Sequence, residues 1–276
     1  MYKILSGKEP SAALLEELKA KVEKMDKKPH LAIVLVGNDP ASEIYVKKKL
    51  EKAEAIGVKA TLKKMDGSTS EEELLKVVEE LNNDPGIHGF IVQAPLPKQI
   101  DESKVVEAID PKKDVDGWTS ANMGRMFIGL DAFLPATPAG VMEILDYYNI
   151  ELQGKNATVI GRSNVVGKPL SFLLLQRNAT VTICHSRTKD LSEHTRNADV
   201  IVAAVGKPGL VTAEMVKEGA YIIDVGTTRV DGKLKGDVDF ENVIKKANCS
   251  PVPGGVGPMT VAILISNVVK ATENSR

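Results

Sequence analysis

Residues 157–169 read ATVIGRSNVVGKP, and the fold turns on how this stretch is read. ATVI is a short apolar strand pattern, residues 161–167 form a polar turn bounded by glycines, and a helical pattern opens at Pro169. Strand, glycine loop and helix together make the plan of a phosphate-binding turn, because a helix N-terminus offers free N–H groups and positive potential. The glycines stand six apart rather than in GxGxxG spacing, so a plain strand-to-helix turn remains the alternative.

Downstream come ATVTIC, DVIVAAV and GAYIIDV, apolar runs of the kind that line up in a parallel sheet covered by helices on both faces. Right-handed crossovers between them give a doubly wound sheet. Upstream, LAIVLVG from Leu31, a helix from Ser42 to Ile56, VKATLKKM, a helix from Ser70 and IHGFIVQ read as β-α-β-α-β. Ser70 and Glu73 have capping-box spacing, and Asn83-Asp84-Pro85-Gly86 closes that helix. Thr137-Pro138 reads as the N-cap and first residue of a connecting helix through Tyr148.

The expected fold class is therefore α/β: two α/β domains flanking a cleft, the second a Rossmann-like doubly wound parallel sheet. Residues 1–138 plus 258–276 form the first domain and 139–257 the second. The apolar helical stretch after Pro258 is too short for a domain and is expected to pack back on the first.

The 276 residues suffice for two well-buried cores, and a formal net charge of -1 provides no field for holding nucleic acid or an anionic membrane. Neither an apolar run long enough to span a bilayer nor a signal-peptide core is found, so no membrane and no export are expected. Two cysteines, Cys184 and Cys249, make no disulfide framework, and no ligand spacing suggests a metal; a reducing cytoplasm fits. The partners left are small molecules or protein.

Four candidates for chemistry fall in the first half. Tyr45 and Lys49, four apart, share one helix face, although taken alone the segment reads better as a solvated basic face. Gln93 in IVQAPLP and Asp116 in KKDVDGW stand at exits from apolar runs, where open α/β sheets bind ligands. In the second half, the strand ending Cys184-His185-Ser186-Arg187 lacks the carboxylate that holds an NAD ribose hydroxyl. A hydroxyl and a guanidinium there, with Arg162 nearby, suit a 2′-phosphate, which points to NADP; alternatively Arg187 is a loop charge. Finally, PVPGGVGPMT at residues 251–260 is either an interdomain linker or a rigid loop whose backbone lies against a bound ring.

Tyr45-x-x-x-Lys49, VQAPLP at 92–97, KDVDG at 113–117, GRSNVVGKP at 161–169 and PVPGGVGPMT occur in order over essentially the whole chain. Together they resemble the bifunctional methylenetetrahydrofolate dehydrogenase/methenyltetrahydrofolate cyclohydrolase family. The resemblance implies oxidation of 5,10-methylenetetrahydrofolate with NADP, then hydrolysis to 10-formyltetrahydrofolate. It implies Lys49 as the key cyclohydrolase residue, Tyr45 stacking near the folate, Gln93 tuning the lysine and Asp116 holding the pterin. Gly161, Arg162, Ser163, Ser186 and Thr227 match cofactor-contacting positions, and residues 254–258, with Gly257 and Pro258, line the folate cleft. Tetrahydrofolate derivatives would be the small-molecule partners, and the family implies a homodimer.

Two departures stand out. Where relatives often have cysteine and then Thr-Pro-Lys-Gly, this chain has Ala136-Thr137-Pro138-Ala139-Gly140, and Thr227-Thr228 replaces a common apolar-polar pair. A short-chain dehydrogenase also uses Tyr-x-x-x-Lys, but after its nucleotide fingerprint, whereas here the pair precedes it. A nucleotide sensor without turnover is the remaining rival, and it has no use for the set Lys49, Gln93 and Asp116.

Overall fold

The computed structural model describes residues 2–275, which divide into two compact units. One contains Ala13–Ala136 with residues 261–275, and the other Thr137–Thr260 with residues 2–12.

The first of these is built on three parallel strands in the order β2-β1-β3: β1 (His30–Val36), β2 (Lys59–Met65) and β3 (Gly89–Val92). β1 and β3 are buried on both faces, as central parallel strands must be, whereas β2 alternates toward solvent with lysines that blunt its edge. Three helices precede or link these strands. They are α1 (Lys8–Glu23), which continues from the other unit, α2 (Pro40–Ala55) and α3 (Glu71–Asn83).

α2 starts two residues before the expected Ser42, because Asp39 caps it and Pro40 suits its first turn. α3 has the expected capping box, with Ser70 and Glu73 satisfying each other's backbone N–H groups. Beyond β3, α4 (Glu102–Glu107) and α5 (Ser120–Phe127) flank a segment whose Asp114 forms an isolated parallel bridge to Phe90 at the sheet edge.

The helix α6 (Ala136–Tyr147) leads into the second unit. It starts one residue before Thr137, so Thr137 lies in the first turn rather than at the cap, its Oγ1 3.1 Å from Thr260 Oγ1. Five parallel strands follow in the order β10-β7-β6-β4-β5: β4 (Asn156–Ile160), β5 (Thr180–Cys184), β6 (Val200–Ala203), β7 (Tyr221–Asp224) and β10 (Asn248–Cys249). α7 (Gly167–Gln176) and α8 (Leu191–Thr195) are the crossovers, and the hairpin β8 (Thr228–Val230) with β9 (Lys233–Lys235) follows β7, before α9 (Phe240–Val243).

Two expectations need correction. Residues 2–12 belong with the second unit, not the first: Leu5 is fully buried, its N–H donates to Cys249 O, and Gly7 N–H donates to Gly254 O. The two-residue apolar run Ile4-Leu5 is too short for its partner to be read from sequence. The last helix, α10 (Val256–Asn274), begins inside the PVPGGVGPMT segment rather than after it. Its later part does belong to the first unit, where Asn267 Nδ2 donates to the carbonyls of Val115 and Leu134 at 2.8 and 3.1 Å.

Candidate active site

In both units the strand order begins 2-1-3, so the chain reverses winding between the first and third strands. Such a point, beyond the carboxyl ends of the strands, is where open α/β sheets receive ligands. The residues singled out in the first unit meet at this edge. Lys49 lies on α2, which follows β1, Gln93 directly follows β3, and Asp116 follows the bridge beside β3.

The buried face of α2 is Ser42, Val46, Lys49 and Ala53, a helical stripe in which a lysine occupies a core position. Lys49 is only 9% exposed while its neighbours Lys47 and Lys48 are in solvent, so the solvated-face reading fails for this one residue. Its Nζ donates to Gln93 Oε1 at 3.1 Å. The Gln93 amide is itself oriented, since its Nε2 donates to Ala94 O at 2.7 Å and its backbone N–H is tied to Val34 O. The oxygen therefore faces the amine. Burial pushes the Lys49 amine below the usual lysine range, and the Asp116 charge pulls it part of the way back. Burial likewise pushes the partly exposed Asp116 carboxyl up, opposed by Lys49 and reinforced by Asp114. Tyr45, one turn before Lys49, is partly exposed on the same side of the helix.

Asp116 owes its place to two residues that the sequence reading passed over. Asp114 is buried and accepts from Trp118 N, Thr119 N, Thr119 Oγ1 and Asn122 Nδ2 at 3.1, 2.8, 2.8 and 2.9 Å, closing the turn around Asp116. Gly117 takes φ 69° in this turn, where a Cβ would come within 2.5 Å of Phe133 O. Asn267 holds the same segment from α10 through Val115 O. Signals existed for both: a second aspartate in KDVDG, and one polar residue inside the apolar run VAILISNVV.

In the second unit, the turn after β4 explains its unusual glycine spacing. A Cβ on Gly161, which has φ 126°, would lie 2.4 Å from Ala204 O, and one on Gly167 would lie 2.2 Å from Gly161 O. Both glycines are therefore needed to let backbone stack on backbone. The first-turn N–H groups of α7 are not free as expected. Ser163 Oγ accepts from Val166 N and Gly167 N, and Ser163 O accepts from Lys168 N. The Ser163 hydroxyl proton and the exposed Arg162 are among the groups left to meet a ligand.

After β5, residues 185–188 form a tight turn in which His185 Nδ1 accepts from Arg187 N and Thr188 Oγ1 from His185 N, leaving Ser186 and Arg187 exposed. The first carboxylate beyond, Asp190, is committed to capping α8. Thr227 is exposed after β7. This donor set suits a nucleotide bearing a phosphate on its ribose.

Of the three glycines in PVPGGVGPMT, Gly255 is packed against Pro251 O and Gly7 against Gly255 O, so the chain itself fills part of the space expected for a ring. Gly257 is exposed with nothing near its missing Cβ, and Pro258 is partly buried. Both lie in the first turn of α10, within the second unit. Among the described residues no acidic, histidine and cysteine cluster could hold a metal ion, and no helix is long and apolar enough to cross a membrane.

Two family models match the chain. Tetrahydrofolate dehydrogenase/cyclohydrolase, catalytic domain, matches residues 5–116, and the NAD(P)-binding domain of the same family matches 135–276. The chain belongs to the tetrahydrofolate dehydrogenase/cyclohydrolase family. It is 53% identical over 274 residues to the bifunctional protein FolD of Halalkalibacterium halodurans, covering 98% of each chain. Among solved structures, the bifunctional FolD of Campylobacter jejuni superimposes with a TM-score of 0.97 at 46% identity, covering 99% of each chain. The Trypanosoma brucei enzyme, crystallised with NADP cofactor and inhibitor, gives 0.95 at 35% identity over 99% of this chain and 98% of that one.

Replacing Asn267 by alanine strands two carbonyls and loosens the Asp116 turn. Urea denaturation should show a loss of about 2 kcal/mol, and steady-state assays a raised KM for folate.

Proposed function

We propose that this chain oxidises 5,10-methylenetetrahydrofolate with NADP and then hydrolyses the methenyl product to 10-formyltetrahydrofolate, with Lys49 as the proton-transfer group of the second step. The observation that carries the reading is the buried Lys49 amine, oriented by Gln93 beside Asp116, within the segment matched by the family's catalytic domain.

Bound NADP supplies the hydride acceptor for the first step. A folate nitrogen lone pair stabilises the cation that forms, so the protein has no proton to remove and its work is positioning. Asp116 accepts hydrogen bonds from the pterin edge, and Tyr45 stacks on the ring.

The second step adds water to the cationic carbon. Burial and a nearby substrate cation both disfavour the ammonium and so favour the neutral amine that this step needs. Gln93 Oε1 takes one amine N–H, which turns the lone pair toward the water. The amine removes one proton from the water as its oxygen bonds to the carbon, and the resulting ammonium returns that proton to the departing ring nitrogen; as that carbon–nitrogen bond breaks, the adduct's hydroxyl releases its own proton to solvent and becomes the formyl C=O.

Arg162, Ser163, Ser186, Arg187 and Thr227 hold the cofactor, with Arg187 paired to the ribose phosphate. The lack of a carboxylate in residues 185–189, with Asp190 committed to its cap, favours NADP over NAD. A homodimer is supported by the edge position of β5 and by Ile183 and Leu175, which stand 41% and 55% exposed on and beside it. The free, buried Cys184 and Cys249 are consistent with work in the reducing cytoplasm on one-carbon units, including those for purine biosynthesis.

Lys49→Ala should lower cyclohydrolase turnover by roughly 100-fold or more while dehydrogenase activity survives, followed spectrophotometrically with methenyl- and methylenetetrahydrofolate. Lys49→Arg, locked in its protonated form, should fail equally. In the wild type, cyclohydrolase kcat/KM should rise with pH as the amine deprotonates, because the neutral form is the active one. Arg187→Ala should raise the KM for NADP by about tenfold and leave the KM for NAD unchanged. Ile183→Lys should shift the mass in sedimentation equilibrium from dimer to monomer.

A further inference from the structure

Two aspartates, Asp224 and Asp237, are buried in the second unit, 3% and 0% exposed, and neither pairs with a cation among the described residues. Nearly all their donors are backbone. Asp237 Oδ2 accepts from Val205 N and Gly206 N at 2.7 and 3.1 Å, and its Oδ1 from Lys207 N at 2.6 Å. Three consecutive N–H groups thus converge on one carboxylate, with Gly206 at φ 67°, the geometry of an anion nest occupied by the chain's own anion. Asp224 accepts from Gly226 N and Asp237 N on Oδ1 and from Val238 N on Oδ2, each at 2.9 Å.

Gly226 and Gly236 make this approach possible. A Cβ on Gly226 would lie 2.4 Å from the Asp237 carboxyl, and one on Gly236 would lie 1.9 Å from Asp224 Oδ2. The pair therefore ties together the loop after β6, the loop after β7 that carries Thr227, and the end of the β8–β9 hairpin. Thr228 Oγ1 adds a bond to Gly206 O at 3.1 Å. The loop after β6 in turn supports the glycine turn, since Ala204 O is the atom against which Gly161 packs.

All of this lies at the carboxyl edge of β4, β6 and β7, where a doubly wound sheet receives its nucleotide. Burying two carboxylate charges side by side is costly: burial and the Asp237 charge push the Asp224 carboxyl up to about 6 despite three N–H donors. A loop junction needed only for stability would be met at lower cost by apolar residues.

We propose that Asp237, supported by Asp224, is a positioning residue for the dehydrogenase: it sets the conformation of residues 204–207 and 226–228, and through them the phosphate turn at Gly161, for nicotinamide nucleotide binding. The proposal rests on reading this unit as the NADP domain. It predicts that disturbing the pair weakens the nucleotide and spares the cyclohydrolase, whose groups lie in the other unit.

The test is Asp237→Asn in the full chain, with NADP affinity measured by calorimetry and cyclohydrolase activity measured on methenyltetrahydrofolate without nucleotide. The amide cannot accept from all three N–H groups, so NADP should bind about tenfold more weakly or worse, with the cyclohydrolase rate within about twofold of wild type. Unchanged NADP affinity would overturn the proposal. So would a parallel loss of both activities in folded protein, which would make the pair a general support of the fold. Should Asp237→Asn not fold, Thr228→Val removes only the bond to Gly206 O; a loss of about threefold in NADP affinity with unaltered cyclohydrolase is expected, and no loss would overturn the proposal. A wild-type chain that binds no NADP would instead contradict the reading of the domain.

Discussion

A lysine amine held out of water by the protein, with one carboxamide oxygen as its fixed partner, is the constraint on which the first unit's site depends. Keeping an ammonium at a core position of α2 is costly, and two responses are open: the amine loses its proton more readily, or it finds a counter-charge. Both occur here, with burial lowering the Lys49 amine and Asp116 opposing that shift. Asp114 and Asn267 have no place in the chemistry, but they hold the turn that keeps the counter-charge at its post. The C-terminal helix returns to this unit bearing one of those clamps.

The two units solve the same topological problem in different ways. Each begins 2-1-3 and so opens an edge where strands part. In the first unit that edge is furnished with titratable side chains on a helix and two strand exits. In the second it is furnished with backbone: glycines that let chain stack on chain, a serine in the preceding turn that takes up the N–H groups at the start of α7, and two buried aspartates that gather N–H groups. Under the proposed function the contrast is the expected one, since proton transfer needs side chains whose charge can change and hydride transfer needs a cofactor held still.

Much of this was legible in the residues. Apolar runs such as LAIVLV and VIVA announce strands buried on both faces, and the capping box at Ser70 marks its helix start because both partners are local in sequence. Lys49, Gln93 and Asp116 were readable as candidates, but their meeting was not. Lys47, Lys48 and Lys49 are identical letters, and only the phase of α2 against the sheet decides which one is buried. Residues 2–12 escaped because their strand-like pairing with Cys249 is long-range and short. Ser163 was read as a ligand contact and not also as the internal cap of α7, since its bonds depend on a loop path that spacing does not fix.

The protonation of one amine tests the account most directly. Nitrogen-15 NMR of lysine-labelled protein, with Lys49→Ala used to assign the signal, would follow the Lys49 side chain as pH is raised. The account predicts a midpoint well below the ordinary lysine value of about 10.4, and a midpoint moved upward in Asp116-intact protein when Gln93 is replaced by glutamate. A Lys49 signal that titrates at or above the ordinary value in the wild type would contradict it, because the amine would then be a permanent cation unable to take a proton from water.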